Sequence, residues 1–172
     1  MKTYKNLQDF LEEHRIKGTI IEKPNTQATL DACTALKEQG INVEPTDMIK
    51  AILIIGKDQM GQSKNVLAMV RGIDKINTEA IQNKLNFKKI RIPTPDQALE
   101  ICSYQRGGTP PIGIEGLYAV VADTKLMQPT RTIVGGGGDP EHVLAIDSFE
   151  LQKKIKELGT KLLITTIGQT IQ

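Results

Sequence analysis

The chain has 172 residues and a mass of 18.9 kDa, so we expect a single domain over residues 1–172 rather than a large multidomain synthetase or polymerase. Hydrophobic residues make up 39% and charged residues 24%, as in ordinary globular proteins, and the net charge is only +2. That balance argues against a protein that coats nucleic-acid phosphates. The scarcity of aromatic residues (three Tyr, three Phe and no Trp) argues against one that stacks single-stranded bases.

The cysteines and the apolar runs indicate the compartment. Cys33 and Cys102 are the two cysteines and they form no CxxC pair, so a reducing compartment is expected. The N-terminus has no apolar signal region. The longest apolar runs, Ala51–Ile55 and Val66–Val70, are far shorter than the ~20 residues of a membrane span. We therefore expect a soluble cytoplasmic protein with no membrane partner.

Helical spacing and start signals recur along the chain. Two capping boxes are predicted, at Thr94–Gln97 and at Asp147–Glu150. The predicted helices lie around Leu7–Leu11, from about Thr26 to Gln39, from Asn77 through Leu85, from Thr94 to near Cys102, and over Ser148–Leu158.

Short apolar runs between these helices predict strands. They lie at Thr19–Glu22, Ile41–Val43, Met48–Ile55, Asn65–Arg71, Lys88–Ile92, Leu117–Ala122, Thr130–Val134 and His142–Ile146. The apolar pattern of Leu162–Ile167 does not distinguish a helix from a strand. The strands are too closely spaced for repeating βαβ units. We therefore predict an α/β protein of the α+β type, with a mixed, mostly antiparallel β-sheet or partial barrel of about seven strands flanked by helices.

One glycine pattern resembles a nucleotide-binding loop but lacks its chemistry. Gly56 and Gly61 have P-loop spacing after an apolar strand, but Gln62 stands where the phosphate-binding lysine is required. The chain also continues into the strand Asn65–Arg71 instead of a helix whose N-terminus holds phosphate. We predict a plain hairpin connection over Gly56–Ser63.

Lys50 is the first candidate site residue. In a strand it shares a face with Ile52 and Ile54. A cation on an apolar face must reach solvent, find a partner or line a cavity. Lys50 is therefore either an exposed lysine at the start of a strand or a lysine on a pocket floor, where it meets a phosphate or carbonyl oxygen.

Two glycine-rich segments are further candidates. In Arg106–Gly113, paired glycines let backbone N–H groups approach a ligand and paired prolines hold the loop rigid. Such donors suit an oxyanion or carbonyl site, although a plain connection is an equal alternative. The run Gly135–Gly138 has the composition of an anion-binding nest, with His142 as a polar neighbour. A loose hairpin and a structural histidine are the more frequent outcomes for these two features.

Other site classes lack a motif. His14 and His142 are far apart and neither lies near a cysteine, and no serine lies in a nucleophile elbow, so we predict no metal and no cofactor. Basic residues cluster locally, with six against two acids over Arg71–Pro93 and four against two over Ser148–Lys161. These clusters are either solvated faces or a modest docking surface for a polyanion.

The order of these features resembles a known family. A lysine opens the strand Ile49–Ile55, a second strand ends at Val70–Gly72, and the loop Gly107–Gly113, a strand with Asp123 and a glycine cluster follow. This pattern resembles the YbaK/prolyl-tRNA-synthetase-associated editing domain family over roughly Thr26–Leu158. Its members include the insertion domain of bacterial prolyl-tRNA synthetase and free-standing deacylases for Cys-tRNA(Pro) and Ala-tRNA(Pro).

The resemblance implies a metal-free hydrolase that cleaves the ester between a wrong amino acid and the 3′-terminal adenosine of tRNA. Mischarged tRNA is then the partner, with an aminoacyl-tRNA synthetase as a second partner and no role for DNA. Lys50 is implied as the catalytic residue, acting by its charge. The implied substrate-binding residues are Gly107, Gly108, Thr109 and Pro111 in the loop and Gly135, Gly136 and His142 at the border of the same cleft.

The chain departs from the family pattern directly after the lysine. Ala51 stands where well-known members carry Asn or Thr, so the resemblance does not indicate which amino acid is removed from the tRNA. Two alternatives stay open: a non-catalytic tRNA- or synthetase-binding module of the same fold, and a hydrolase of another small ester or nucleotide conjugate.

Overall fold

The computed structural model describes residues 1–170, which fold into two main β-sheets with helices packed against them. The helices are Tyr4–Glu13 (α1), Thr29–Glu38 (α2), Thr78–Lys84 (α3), Pro95–Cys102 (α4), Thr124–Met127 (α5) and Ser148–Glu157 (α6), with a 3₁₀ turn at Pro45–Asp47. Within the described residues, none of these helices has the length and apolar character needed to cross a membrane.

Ten strands build the sheets. They are Gly18–Glu22 (β1), Ile49–Lys57 (β2), Ser63–Arg71 (β3), Asp74–Ile76 (β4), Lys89–Arg91 (β5), Ala119–Asp123 (β6), Thr132–Gly136 (β7), His142–Asp147 (β8), Lys161–Thr165 (β9) and Gly168–Thr170 (β10). The larger sheet has the order β5-β2-β3-β6-β9, the second has the order β1-β8-β7, and β4 pairs with β10. The β3–β6 and β6–β9 pairs are parallel and the other pairs are antiparallel. The predicted α+β architecture with a mixed, mostly antiparallel sheet is confirmed.

The central strand β3 is buried on both faces, which explains its continuous apolar sequence. Leu67 and Met69 face a core shared with α1, α6 and the second sheet. Val66, Ala68 and Val70 face a second core closed by α3. Its neighbour β2 is joined to it by a tight loop at residues 58–62, as the sequence predicts. The P-loop pattern therefore lies in a β-hairpin.

The helix starts follow their sequence signals, with one exception. The Thr94–Gln97 capping box and the Asn77 cap form as predicted. Asp147 also caps α6, but Glu150 does not complete a capping box. Its Oε2 instead accepts a hydrogen bond at 2.8 Å from the backbone N–H of Lys17, which fixes the chain just before β1.

Two predicted elements are wrong because other backbone groups compete for their hydrogen bonds. Ile41–Val43 is no strand, since the N–H of Ile41 closes the end of α2 by bonding Leu36 at 3.0 Å. Helix α2 begins at Thr29 instead of Thr26, because the N–H of Thr26 donates to the carbonyl of Pro140. The segment before α2 is thereby held in an extended conformation.

The apolar run Leu162–Ile167 forms most of β9 and the turn that leads into β10. β9 pairs with β6, and β10 pairs with β4. The turn is held by Asp123, which is fully buried at the end of β6. Its Oδ2 accepts the backbone N–H groups of Ile167 and Gly168 at 2.8 and 2.6 Å. This carboxylate therefore couples the C-terminal segment to the central sheet.

Replacement of this buried acceptor should destabilise the fold strongly. We expect Asp123→Ala to lower the free energy of unfolding by about 2–3 kcal/mol, because the amides of Lys125, Ile167 and Gly168 lose a buried charged acceptor. Asp58→Ala is the control, since Asp58 accepts the backbone N–H groups of Met60 and Gln62 in an exposed loop. Urea denaturation of both variants makes the comparison, and equal losses would contradict the role of burial.

Candidate functional site

A cleft of about 780 Å³ opens beside the first half of β2. Several segments that are far apart in the sequence meet there. Its lining comes from residues within the ranges 23–32, 48–53, 92–98, 104–109 and 135–136, together with Gly72 and Val143. Each of the two glycine-rich segments singled out in the sequence contributes to it.

The cleft exposes an unpaired edge of β2. Strand β5 pairs with β2 over Ile55–Lys57, and among residues 1–170 no strand covers that edge over Ala51–Ile54. The five consecutive residues Ile49–Leu53 all line the cleft, as expected for a strand seen along its edge. An edge strand presents a row of free N–H and C=O groups. The cleft therefore offers backbone donors and acceptors that no side-chain motif reveals.

Lys50 lies in this cleft and is half-buried. Its Nζ donates to the backbone carbonyl oxygen of Asp74 at 2.6 Å. Burial lowers the pKa of the Lys50 ammonium, and the negative charge of Asp74 opposes that shift. An ammonium has three N–H donors, so the position of Lys50 is fixed while two donors remain for a ligand.

Asp74 is itself held in a buried charge cluster. Its side chain is fully buried and accepts Nε and Nη2 of Arg71 at 2.8 and 3.1 Å. Burial opposes ionisation of the Asp74 carboxyl, but the hydrogen bonds and charge of Arg71, with Lys125, outweigh it and lower the pKa. Lys125 lies 3.6 Å from the same carboxylate and donates to the carbonyl of Gly168 at 3.0 Å. The backbone carbonyl that accepts the Lys50 ammonium thus belongs to a residue whose side chain is held by both Arg71 and Lys125.

The two glycine-rich segments pack backbone against backbone. A Cβ atom added to Gly136 would lie 2.1 Å from the carbonyl oxygen of Thr109, and one added to Gly108 would lie 2.4 Å from Cα of Asp139. The N–H of Gly138 also donates to the carbonyl of Gly108 at 2.9 Å. The glycines are therefore required by close approach. Gly135 and Gly136 belong to β7 rather than to a loose loop.

Five of the eight predicted site residues line the cleft: Lys50, Gly107, Thr109, Gly135 and Gly136. Gly108 and Pro111 lie behind this lining. Gly108 packs against Asp139, and the ring of Pro111 lies 3.2 Å from the Cβ position of Gly135. These two residues therefore support the wall of the cleft from outside.

His142 also lies outside the cleft lining. Its Nδ1 is 2.7 Å from Oδ1 of Asp139, and its ring stacks on Tyr4 at a centroid distance of 3.8 Å. The other carboxylate oxygen of Asp139 accepts the N–H of Tyr4 at 3.2 Å. His142 and Asp139 thereby tie the start of α1 to the turn that follows the glycine run.

Lys23 is a cleft residue that sequence reasoning missed. It is 5% exposed, and its Nζ donates to Oγ1 of Thr26 at 2.6 Å, to the carbonyl of Pro24 at 3.2 Å and to the carbonyl of Pro140. Burial lowers the pKa of Lys23, against the charges of Asp139 and Glu141. All three donors are engaged, so Lys23 holds the extended segment before α2 in the wall. No local pattern around it signals this role.

Comparison with known proteins identifies the family. The model of the aminoacyl-tRNA editing domain matches residues 24–154. The chain is 28% identical over 127 residues to the proline–tRNA ligase of Streptococcus mutans, which covers 74% of this chain and 19% of that enzyme. It is 26% identical over 126 residues to the proline–tRNA ligase of Heliobacterium modesticaldum, covering 73% and 20%. The chain thus spans about a fifth of the length of the curated relatives it matches.

Solved structures share the whole fold. A candidate trans-editing enzyme for prolyl-tRNA synthetase superposes with a TM-score of 0.74 over 96% of both chains at 20% identity. A hypothetical protein superposes with a TM-score of 0.75 over 95% of this chain and 99% of that chain at 15% identity. The resemblance to prolyl-tRNA-synthetase-associated editing domains that the sequence indicates is confirmed. The chain belongs to the aminoacyl-tRNA editing domain family.

Proposed function

We propose that this protein is a trans-editing hydrolase that deacylates mischarged tRNA of the Cys-tRNA(Pro) or Ala-tRNA(Pro) type. The observation that carries the proposal is the single cleft in which Lys50, the open edge of β2 and the loop at residues 107–109 meet. Membership of the editing family supports a tRNA substrate. The proline–tRNA ligase relatives support tRNA(Pro) and a synthetase as partners.

The reaction needs little from the protein beyond positioning and polarisation. Water adds to the ester carbonyl carbon, the bond to the ribose oxygen breaks, and the free amino acid and a 3′-hydroxyl are released. The neighbouring ribose hydroxyl can relay the proton. Backbone N–H groups from the β2 edge and from the loop at 107–109 stabilise the charge that develops on the carbonyl oxygen. Lys50 contributes its positive charge to the carbonyl or to the adenosine phosphate.

The walls beside Lys50 fit a small apolar amino acid. Ala51 lines the cleft with a methyl group, and Ile52 and Leu53 follow it. Without a polar side chain at position 51, polar contacts to the substrate come from backbone groups, from Lys50 and from other polar side chains of the lining, such as Gln27, Thr29 and Arg106. An apolar wall of this kind separates amino acids that differ by one methylene by only ~1–3 kcal/mol, so we expect activity on more than one small amino acid.

Ala51 also favours a second candidate function. If the missing polar side chain is needed to orient the ester, the fold serves as a tRNA- or synthetase-binding module without hydrolysis. In either case we propose that residues 1–172 form one domain that acts in the cytoplasm. Hydrolysis of another small ester is the third alternative.

The first test is a panel of tRNAs charged with Ala, Cys, Ser or Thr. We expect the wild type to release at least one of these amino acids, and Lys50→Ala to lower kcat/KM by about 10²-fold or more, because a charge aimed at the reacting group is lost. Lys5→Ala, on the exposed face of α1, should leave kcat/KM unchanged.

Each result of this panel separates the candidates. Full activity in Lys50→Ala would contradict the site. Binding of tRNA with no release of amino acid would favour the binding module. Hydrolysis of free aminoacyl-adenosine with no preference for tRNA would favour the third alternative.

The protonation of Lys50 gives a second prediction. Burial lowers its pKa from the ordinary value of 10.5, so the ammonium is lost at a lower pH than for an exposed lysine. We expect the deacylation rate, corrected for uncatalysed hydrolysis, to fall as the pH rises through this lowered pKa. Lys50→Arg is the comparator, since a guanidinium stays charged throughout. A rate that rises through the same range in the wild type alone would assign Lys50 to base catalysis instead.

The glycine contact gives a third prediction. Gly136→Ala places a Cβ 2.1 Å from the Thr109 carbonyl oxygen, whereas Gly135→Ala meets side-chain atoms of Ile49 and Pro111 at 3.2 Å. Side-chain atoms can move away from a new methyl group more easily than backbone atoms can. We therefore expect Gly136→Ala to displace the loop at residues 107–109 and to lower kcat/KM at least tenfold more than Gly135→Ala does. Deacylation assays and amide hydrogen exchange over residues 107–111 measure both effects. Equal effects of the two substitutions would contradict the packing argument.

A further inference from the structure

Five lysines gather at the end of the larger sheet remote from Lys50. The lysine patch consists of Lys57 at the end of β2, Lys64 at the start of β3, Lys88 and Lys89 at the start of β5, and Lys161 at the start of β9. All but Lys64 are exposed, and Lys64 is half-buried. The proposed deacylation chemistry uses none of them.

The fold holds two of these lysines directly opposite each other. Lys57 pairs with Lys89 in the antiparallel β2–β5 ladder, so their Cβ atoms are about 5 Å apart on one face. The N–H of Lys88 donates to the carbonyl of Lys57 at 2.7 Å, so the backbone of Lys88 lies at the same corner of the sheet. Like charges in opposed positions destabilise a sheet. The arrangement therefore favours an anion that neutralises it.

The remaining two lysines lie at the same end of the sheet but on its other face, because Lys64 pairs with Gly56 and Lys161 with Ala119. They converge on one aromatic ring, so the patch wraps around the end of the sheet. The Nζ atoms of Lys64 and Lys161 lie 5.3 and 5.6 Å from the ring centroid of Tyr118. Tyr118 is 39% exposed and is braced by Phe87 at a centroid distance of 6.0 Å. The ring orients both ammonium groups without neutralising their charge.

No carboxylate of the described chain neutralises the patch. Within residues 1–170 none of the five lysines forms an ion pair. Asp58 is adjacent in sequence to Lys57, but its Oδ1 accepts the backbone N–H groups of Met60 and Gln62 within the hairpin loop. The five charges are therefore available to an external polyanion.

The patch is connected to the cleft by β5. β5 ends at Arg91 and the chain continues to Ile92 and Pro93, which line the cleft, about 10 Å from Lys89 at ~3.3 Å per residue. Along β2, Lys57 lies seven residues from Lys50, or roughly 23 Å. A ligand with its reacting end beside Lys50 would reach the patch only if it extends well beyond one nucleotide.

We propose that the lysine patch binds the phosphate backbone of the helical part of the tRNA whose 3′ end enters the cleft. The inference rests on the proposed function and adds to it a second point of contact. Lysine ammonium groups act as point charges on phosphates and carry no sequence preference of their own. The patch therefore supplies affinity and orientation rather than the choice of amino acid.

The test compares two triple variants of equal charge. K57Q/K64Q/K89Q removes the centre of the patch, and K5Q/K17Q/K37Q removes three exposed lysines outside both basic sequence clusters. Binding of uncharged tRNA is measured by fluorescence anisotropy between 50 and 200 mM salt. We expect the patch variant to bind about tenfold or more weakly and its salt slope to fall by about 3, because each substituted lysine leaves one phosphate without its ammonium partner. The control should match the wild type in both.

Because the ligand is uncharged tRNA, the result does not depend on whether the protein hydrolyses an ester. Deacylation of a short aminoacyl-adenosine substrate should be equal in the two triple variants, since that substrate does not reach the patch. Equal tRNA affinities and salt slopes in the two variants would overturn the proposal. So would a loss confined to binding of prolyl-tRNA synthetase with tRNA binding unchanged, which would assign the patch to a protein partner.

Discussion

The geometry of the site depends on the interactions of one residue, the ionised and fully buried Asp74. Its carboxylate is held by Arg71 and lies close to Lys125, while its backbone carbonyl accepts the ammonium of Lys50. Lys125 in turn donates to the carbonyl of Gly168 at the start of β10. Removal of one partner from such a cluster leaves an uncompensated buried charge, which is strongly destabilising. The position of the cleft lysine and the attachment of the C-terminal segment therefore have a common origin.

The opposite wall of the cleft depends on the absence of side chains. Gly136 and Gly108 allow β7 and the loop at residues 107–109 to touch through their backbones, which leaves no room for a Cβ. Rigid backbone on one side and the open edge of β2 on the other give the cleft N–H groups fixed in space. Fixed donors stabilise a developing oxyanion without reorganisation. Such a cleft suits the proposed hydrolysis of an activated ester.

The sequence predicts the features that depend on local chemistry. Apolar periodicity and the Thr94 cap give most of the elements, and Lys50 lies in a cleft, one of the two positions that its apolar neighbours left open. The sequence does not predict features that depend on residues far away along the chain. The burial of Lys23 depends on a carbonyl 117 residues away. The placement of His142 depends likewise on a Tyr4 ring brought to it by α1, so the polar residue faces a structural partner instead of the cleft.

The central claim is that the cleft beside Lys50 receives the aminoacylated 3′-adenosine. An NMR titration with a non-hydrolysable alanyl-amide analogue of aminoacyl-adenosine tests it most directly. The account predicts saturable shifts of the backbone amides at residues 49–53, 107–109 and 135–136, together with a shift of the Lys50 side-chain nitrogen. Shifts clustered instead around Tyr4 and His142, or an unchanged cleft under conditions in which aminoacyl-tRNA is hydrolysed, would contradict it.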